Sequence, residues 1–366
     1  MFKLGVDASV LNRERTGVGN YVFNLLTRYR RVRPETSLYL FSNDRVDAEA
    51  ATLGECIEHV PSPLKKGPLW LSTGLPPLLE KCGVDVFWGG NGYLPLRVPN
   101  GVRRVVTIHD LVYLHAAHTL PAVSRWSRRL LQPLAVRHAD AVVCVSQSTA
   151  DEVHRRYGRS ADAVLEPLMD PSYRPATPDE VRAVRSRYSL PERFLLTLGT
   201  MEPRKNLAAL LEAYVRARER GADLPLLVLA GKMGWLAQDI AALVESSVRR
   251  GFAKFLGYVP LEHMPALYSA AEAFVFVPLY EGFGMPAREA LLCGTPVIAS
   301  DIAALREATR GHALLVPPDE RSLEEALLAY ASGARRPVPP PAGDALQSDH
   351  VPLAFAELLE RVRGAR

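Results

Sequence analysis

Short apolar runs alternate with amphipathic stretches along most of this chain. A short apolar run is typical of a strand buried on both faces of a parallel sheet, and apolar positions three and four residues apart are typical of a helix covering that sheet. The predicted strands are Lys3–Asp7, Leu38–Phe41, Val84–Phe87, Arg104–Ile108, Ala141–Val145, Phe194–Leu198, Leu226–Ala230, Lys254–Leu256, Phe274–Val277 and Pro296–Ala299. Strands that alternate with helices predict an α/β fold with parallel sheets.

The amphipathic stretches predict helices that follow most of these strands. Their ranges are Gly19–Tyr29, Ser148–Tyr157, Pro178–Tyr188, Leu207–Arg218, Leu236–Arg249, Leu261–Ser269 and Val351–Arg363. Prolines between Val164 and Pro178 interrupt both patterns, so we expect a domain boundary there. We therefore predict two domains, residues 1–168 and 169–348, and a terminal helical segment, residues 349–366, that crosses back to the first domain.

Composition limits the class of protein without identifying a function. The chain has 366 residues, of which 48% are hydrophobic and 23% charged, as in globular proteins. No apolar run approaches the roughly 20 residues that span a bilayer, and the first residues carry no signal-peptide core. The four cysteines are scattered, with no Cys-x-x-Cys pair, which argues against a zinc or redox motif. We therefore expect a cytoplasmic protein.

Positive charge is concentrated in the first half of the chain. The net charge is +4, but residues 1–165 carry 21 Lys and Arg against 15 Asp and Glu, whereas the remainder carries 23 against 25. Basic and apolar residues are interspersed at helical spacing between Arg125 and His138. This segment either lies against an anionic membrane surface or an acidic acceptor, or forms an ordinary solvated helix face.

Two glutamates eight residues apart, Glu281 and Glu289, bracket a glycine-rich run that contains Pro286. The run follows a predicted strand, and Pro286 predicts the start of a helix, with Glu289 in its first turn. Open parallel sheets bind ligands at the carboxyl ends of their strands, and the free N–H groups of a helix start attract an anion. Two carboxylates beside an anion site fit a nucleotide-sugar; the alternative is an ordinary glycine-rich turn.

A second motif follows the predicted strand Phe194–Leu198. The run Gly199–Leu207 contains the adjacent cations Arg204 and Lys205. Arginine offers a bidentate fork and lysine a mobile point charge, so the pair suits a diphosphate and stabilises charge on a departing nucleotide. Asn206 is predicted to cap the next helix. The alternative is a surface loop with two ordinary charges.

Two further candidate sites lie in the first half of the chain. Gly17 and Gly19 lack a third glycine and lie about ten residues beyond the first strand, which weakens a dinucleotide fingerprint. We expect instead a flexible loop facing a substrate cleft. His109 ends a predicted strand and either reaches that cleft or is satisfied by backbone groups. The chain contains no Asp-x-Asp sequence, and no ligand set near Asp110 indicates a metal.

Taken together, these motifs resemble family 4 of the retaining glycosyltransferases. The motifs are the early Gly-x-Gly, His109-Asp110, Val145-Ser-x-Ser148, Glu-Pro-Arg-Lys-Asn and Glu-Gly-Phe-Gly-x-Pro-x-x-Glu, in the order and at about the spacing of that family. The resemblance extends over nearly the whole chain. It implies the GT-B fold, with two facing Rossmann-like domains, parallel sheets and a cleft between the domains.

The resemblance implies a donor site in the second domain. Arg204 and Lys205 would hold the donor diphosphate, Glu281 would bind hydroxyls of the transferred sugar, and Glu289 would bind the ribose. Further donor contacts are implied at Gly199 and at the backbone amides of Phe283, Gly284 and Met285. No metal or cofactor is then expected, since fixed cations and the helix dipole neutralise the leaving group.

In the first domain, the resemblance places His109 opposite the donor sugar, and Gly17 and Gly19 on the acceptor side. It implies transfer of a hexose or deoxyhexose, with retention, to a glycan or lipid-linked acceptor, and no nucleic-acid partner. The Glu-Pro-Arg-Lys-Asn form is similar to that of mannosyl- and rhamnosyltransferases of surface polysaccharide pathways, so a GDP-sugar donor is favoured. Two alternatives stay open: a sugar-nucleotide 2-epimerase on the same scaffold, and a non-catalytic glycan- or nucleotide-binding protein.

Two positions depart from the family pattern. The stretch Glu166–Asp170 stands where many relatives have an Asn-Gly pair, and Arg288 stands where a hydrophobic residue is common. The first departure is expected to alter the hinge, and the second the rim of the cleft.

Overall fold

The chain folds into two compact units. The computed structural model describes residues 1–11, 15, 17–58, 69–117, 122–234, 238–338 and 346–365. The first unit comprises the described parts of Met1–Leu111, Ala122–Leu168 and Ser348–Arg366; the second comprises those of Val112–Pro121 and Met169–Gln347. The C-terminal segment thus belongs to the first unit, although it follows the second unit in the sequence.

Each unit is built on a parallel sheet. The strands are β1 Lys3–Asp7, β2 Ser37–Ser42, β3 Glu55–Glu58, β4 Val86–Gly89, β5 Arg103–Ile108, β6 Ala141–Cys144, β7 Ala163–Val164, β8 Phe194–Leu198, β9 Leu226–Ala230, β10 Ala253–Phe255, β11 Ala273–Phe276, β12 Val297–Ser300 and β13 Ala313–Val316. Among the described residues, the order is β3-β2-β1-β4-β5-β6-β7 in the first sheet and β10-β9-β8-β11-β12-β13 in the second. Every pairing in both orders is parallel.

Helices connect these strands. They are α1 Gly17–Val32, α2 Ala48–Ala51, α3 Leu69–Thr73, α4 Leu75–Cys82, α5 Val112–His115, α6 Ala122–His138, α7 Gln147–Tyr157, α8 Pro178–Tyr188, α9 Leu207–Glu219, α10 Gln238–Arg249, α11 Met264–Ala270, α12 Met285–Leu292, α13 Ala303–Thr309, α14 Glu320–Ala331 and α15 Val351–Gly364. None of the helices in the described part of the chain is long and apolar enough to cross a membrane.

The predicted α/β class with parallel sheets is confirmed. β1, β8 and β9 have the predicted bounds, and every residue of β4, β6, β11 and β12 is buried, as strands covered on both faces require. Some bounds were wrong: β4 begins at Val86 rather than Val84. β3, β7 and β13 were not predicted. The predicted start of α10 at Leu236 lies outside the described residues.

The second sheet changes direction at its centre. From β8 the chain proceeds outward through β9 to β10, and then returns to place β11 on the other side of β8. Helices on neighbouring crossovers diverge at such a point and leave a crevice at the carboxyl ends of the two central strands. Both motifs that the sequence singled out in this unit follow these two strands.

The C-terminal helix α15 packs within the first unit. The Phe355 ring lies 5.5 Å from the Tyr29 ring of α1 and 4.7 Å from the Trp88 ring of β4. Phe355 and Trp88 are fully buried. Arg33 Nε also donates to Glu360 Oε1 at 3.0 Å. The helix therefore completes the apolar core of this unit.

Candidate active site

Two cations stand just after the carboxyl end of β8. The chain leaves this strand at Gly199 (φ +141°) and forms a short 3-10 helix over Pro203–Lys205. A Cβ at Gly199 would lie 3.6 Å from Lys205 Cε, so the strand end and the lysine stem are in close proximity. The pair Arg204 and Lys205 thus occupies the switch point of the second sheet.

The structure brings these cations together with Glu281. Lys205 Nζ lies 2.5 Å and Arg204 Nη1 3.0 Å from Glu281 Oε1, so one carboxylate oxygen bridges both cations. Arg204 Nη1 also donates to the carbonyl of Tyr280 at 3.1 Å, and the Arg204 carbonyl accepts from the amide of Leu279 at 3.0 Å. The loops that follow β8 and β11 are therefore joined by charge and by backbone.

Glu202 is a functional candidate that the sequence analysis missed. Its side chain is 4% exposed, and its Oε1 accepts from Arg204 Nε at 3.1 Å and from Arg204 Nη2 at 2.7 Å. The Arg204 guanidinium is therefore held between two carboxylates. The sequence feature that could have identified this contact is a carboxylate, Glu202, two residues before Arg204, with Pro203 between them to restrict the turn.

The cation pair keeps Glu281 ionised. Burial alone would raise the pKa of the Glu281 carboxyl, but Arg204 and Lys205 outweigh that effect and hold the pKa below its usual value. Two cations and two carboxylates, including Glu202, leave this cluster close to neutral. An entering diphosphate would compete with Glu281 for the same donors, and the released carboxylate would then be an acceptor for hydroxyl groups.

The loop after β11 leads into α12 with an enforced glycine. Gly284 has φ +104°, and a Cβ there would collide with the Leu305 side chain of α13. The helix begins at Met285 rather than at Pro286 as predicted. Within the described residues, the amides of Phe283, Gly284 and Met285 donate to no protein acceptor, as expected next to a helix start. These amides are free to bind an anion or a hydroxyl.

Glu289 lies in a different environment from Glu281. The predicted position in the first helical turn was wrong: Glu289 is the fifth residue of α12, is 7% exposed and accepts from Tyr268 Oη at 3.0 Å. The Tyr173 ring lies 6.2 Å from the Tyr268 ring. Burial raises the pKa of the Glu289 carboxyl to about 7, although hydrogen bonds from both tyrosines oppose the shift.

Asn206 does not cap α9 as predicted. It occupies the N-cap position, but with φ +60° its side chain makes no capping hydrogen bond and instead donates to the carbonyl of Pro318 at 2.8 Å. The long-range bond fixes the loop beyond the cations to the segment before α14.

The remaining predicted site residues lie in the first unit. His109 follows β5, and its Nε2 lies 2.7 Å from the carbonyl of Gly90, so a backbone group satisfies that nitrogen. Burial lowers the pKa of His109, although the Gly90 carbonyl and the charge of Asp110 oppose the shift. The His109 ring packs edge-on against Tyr21, with 4.9 Å between ring centroids.

Gly17 and Gly19 are helical, which contradicts the predicted flexible loop. Both belong to the first turn of α1. Gly17 is exposed, whereas Gly19 is buried, and a Cβ at Gly19 would lie 2.5 Å from the carbonyl of Val10. The helix start approaches the chain after β1 so closely that a side chain does not fit at Gly19.

Solved structures of other proteins share the fold of this chain. The sucrose-phosphate synthase of Thermosynechococcus elongatus is 21% identical, with a TM-score of 0.75 and 100% coverage of both chains. HepE of Anabaena, solved in complex with UDP and glucose, is 18% identical, with a TM-score of 0.68 and coverage of 99% of this chain and 100% of that one. The chain has the GT-B fold of glycosyltransferases.

Sequence similarity defines the family. The family model described as "Glycosyltransferase Family 4" matches residues 15–165, and the model described as "Glycosyl transferases group 1" matches residues 192–332. The O-antigen chain mannosyltransferase B of Escherichia coli is 31% identical over 329 residues, which cover 83% of this chain and 84% of that protein. The chain belongs to family 4 of the glycosyltransferases and is an enzyme.

Proposed function

We propose that this enzyme transfers a mannose-type hexose from a nucleoside diphosphate sugar, with GDP-mannose favoured, to a glycan or lipid-linked acceptor in surface polysaccharide synthesis. The observation that carries the proposal is the cation pair Arg204 and Lys205, bridged by Glu281 at the switch point. The similarity to a protein named as an O-antigen chain mannosyltransferase supports the sugar and the pathway.

The proposed reaction uses the cations to stabilise a leaving nucleotide. The acceptor oxygen forms a bond to the anomeric carbon on the face from which the diphosphate departs, so the anomeric configuration is retained. The bond between that carbon and the diphosphate oxygen breaks, its electron pair stays on the diphosphate, and a phosphate oxygen takes the proton of the acceptor hydroxyl. Arg204 and Lys205 stabilise the negative charge that develops on the diphosphate.

The carboxylates of the site select the rest of the donor. In the proposed complex, the diphosphate binds the cations and Glu281 then accepts hydrogen bonds from sugar hydroxyls. Ionised Glu289 accepts from ribose hydroxyls, in exchange with its tyrosine partners. The proposed chemistry uses fixed protein cations in place of a metal ion.

A thermal-shift panel followed by product analysis tests this function. A ligand that binds only the folded state raises the melting temperature, and GDP-mannose is expected to do so more than UDP- or dTDP-sugars. With extracted glycan or lipid-linked acceptors, the enzyme should release GDP in step with a product that carries the new sugar. Conversion of the donor alone into an isomer would favour an epimerase, and binding without turnover across the acceptors would favour a binding protein.

We further propose that α6 places the enzyme on the cytoplasmic face of an anionic membrane. Trp126, Leu130 and Leu134 are 54%, 61% and 37% exposed and are four residues apart, so they share one face of the helix. Arg129 lies over the Trp126 ring at 5.7 Å, and the helix contains no acidic residue. An apolar stripe flanked by arginines suits anionic headgroups.

Vesicle flotation tests the membrane proposal. The protein should float with vesicles of anionic lipid at low salt and less at high salt, because salt screens the attraction. Trp126→Ser combined with Leu130→Ser should abolish flotation, whereas Leu353→Ser, at a leucine that is 49% exposed on α15, should not. A wild-type protein that does not float at low salt would contradict the proposal.

A further inference from the structure

Arg288 is a fully buried arginine beside the donor loop. The sequence analysis placed it at the rim of the cleft, but its exposure is 0%, so that expectation was wrong. Arg288 is the fourth residue of α12 and follows Phe283 and Gly284 closely. A buried charge is costly unless it has hydrogen-bond partners. The partners of the Arg288 guanidinium therefore show how the fold accommodates it.

The guanidinium binds the end of a neighbouring helix. Arg288 Nε donates to the carbonyl of Ala308, and Nη2 donates to the carbonyl of Glu307 at 3.2 Å. Both carbonyls belong to the last turn of α13, where the negative end of the helix dipole favours a cation. Nη1 donates to the carbonyl of Leu346 at 3.0 Å. The fork thus holds α12 against α13 and against the segment at Leu346.

The same side chain contacts the donor loop. Arg288 Cζ lies 5.0 Å from the centroid of the Phe283 ring, and Phe283 is 4% exposed. A cation over an aromatic face is attracted by the ring. The loop also touches α13, because Leu305 occupies the space where Gly284 would carry a side chain. Phe283 and Gly284 are therefore held by two contacts, the first between the Phe283 ring and the guanidinium and the second between Gly284 and α13.

We propose that Arg288 is a positioning residue for the donor. By holding the Phe283 ring, it sets the direction of the Phe283 and Gly284 amides, which the resemblance to family 4 implies as contacts of the nucleotide-sugar donor in the proposed function. The inference rests on that function and adds to it a residue that does not itself touch the donor. Hydrogen bonds depend strongly on angle, so a small rotation of this peptide weakens donor binding.

Donor titration with matched variants tests the role. Arg288→Met keeps the length and removes the charge and the fork, whereas Arg288→Lys keeps a charge near Phe283. Arg310→Met is the control, since Arg310 Nη1 binds the carbonyl of Gln347, next to Leu346. Calorimetry with GDP-mannose, well below each melting temperature, should give a Kd raised roughly tenfold for Arg288→Met, less for Arg288→Lys, and unchanged for Arg310→Met. KM for the donor should rise by the same factor as Kd.

A double-mutant cycle separates positioning from general packing. If Arg288 acts through Phe283, Phe283→Leu should weaken donor binding by itself, and Arg288→Met should add little in that background. Additive losses, or a Kd of Arg288→Met equal to that of the wild type, would overturn the proposal while leaving the proposed function intact. If the wild type binds no nucleotide-sugar, the proposed function fails and the positioning role fails with it. Should Arg288→Met not fold, Arg288→Lys and Phe283→Leu still decide the question.

Discussion

Glu281 and Glu289 are eight residues apart and both have little exposure, yet their electrostatic surroundings are opposite. Glu281 lies against Arg204 and Lys205, which hold its pKa below the usual value. Glu289 lies against the hydroxyl of Tyr268, and burial raises its pKa to about 7. At pH 7 the same residue type is therefore ionised at one end of the motif and is in the middle of its titration at the other.

This difference shows that burial alone does not decide the charge of a carboxyl group. Desolvation raises the pKa of both glutamates, and the result depends on whether cations or neutral donors face the carboxylate. At Glu281 the charge balances the cations until a diphosphate replaces it. At Glu289 the hydrogen-bond partners are neutral, so the ionised form of the carboxyl is costly. A ligand that donates hydrogen bonds to Glu289 therefore also stabilises its ionised form.

The largest expected effect concerns the cations that distinguish the two sites. Lys205→Ala or Arg204→Ala should lower kcat/KM by about a hundredfold or more, because each removes one stabiliser of the leaving group. Steady-state assays with GDP-mannose and saturating acceptor measure this loss. Lys254→Ala is the control, since Lys254 donates to the carbonyl of Ser189. Near-normal turnover in both site variants would reject the role of the cations.

Removal of the negative charge should lower the stability of the folded chain at Glu281 but not at Glu289. Glu281→Gln leaves two partly buried cations, Arg204 and Lys205, poorly compensated and should lower the free energy of unfolding at pH 8 by about 2 kcal/mol. Glu289→Gln removes a buried charge without a cationic partner and should leave that free energy unchanged or raise it. Urea unfolding monitored by circular dichroism measures both values. Equal losses in the two variants would contradict the electrostatic distinction.

The inner framework of the fold was predictable from the sequence, because it depends on local pattern. β9 is continuously apolar and β8 is apolar except for Thr197. In contrast, β3 carries two glutamates, β7 has two residues, and β13 lies at a sheet edge. Edge strands are partly exposed, so the apolar pattern that identifies a buried strand is weaker there.

The residues of the candidate site were predictable only where they belong to a short sequence motif. Arg204, Lys205 and Glu281 come from two short motifs, and the parallel topology brings those motifs together. The environment of Glu289 depends on Tyr268 and Tyr173, which lie far away in sequence and meet it only through tertiary packing. No spacing rule links such partners, and burial of Arg288 against helix carbonyls was hidden for the same reason.

Donor affinity should depend on pH through Glu289 alone. Below its pKa of about 7 the carboxyl is protonated and loses acceptor capacity, so affinity should fall as the pH falls from 8 to 6. The change should be about tenfold, since the ionised fraction falls from about nine tenths to one tenth over that interval. Calorimetry with GDP-mannose at several pH values measures it. Glu289→Gln should give a flat profile, and a persistent slope in that variant would assign the titration elsewhere.

The raised pKa has a matching effect on folding. Between the usual Glu value near 4.5 and the folded value of about 7, the folded chain binds more protons at Glu289 than the unfolded chain does. The stability contributed by the neutral carboxyl is therefore present below pH 4.5 and is lost as the pH rises through 7. Glu281 contributes in the opposite sense, because its pKa is lowered: its stability is lost as the pH falls below the usual Glu range.

The smallest expected effect concerns the hydrogen bond from Tyr268. Tyr268→Phe removes a donor that favours the ionised carboxylate, so the pKa of Glu289 should rise further. The midpoint of donor binding should shift upward by roughly half a pH unit. Tyr188→Phe is the control, because the Tyr188 hydroxyl pairs with His263. A downward shift, or the same shift in both variants, would contradict the role of Tyr268.

A crystal structure of the enzyme soaked with GDP tests the central claim most directly. The account predicts the terminal phosphate within hydrogen-bond distance of Arg204 and Lys205, with Glu281 no longer bridging the two side chains and the ribose hydroxyls on Glu289. A nucleotide bound with its phosphates away from both cations would contradict it.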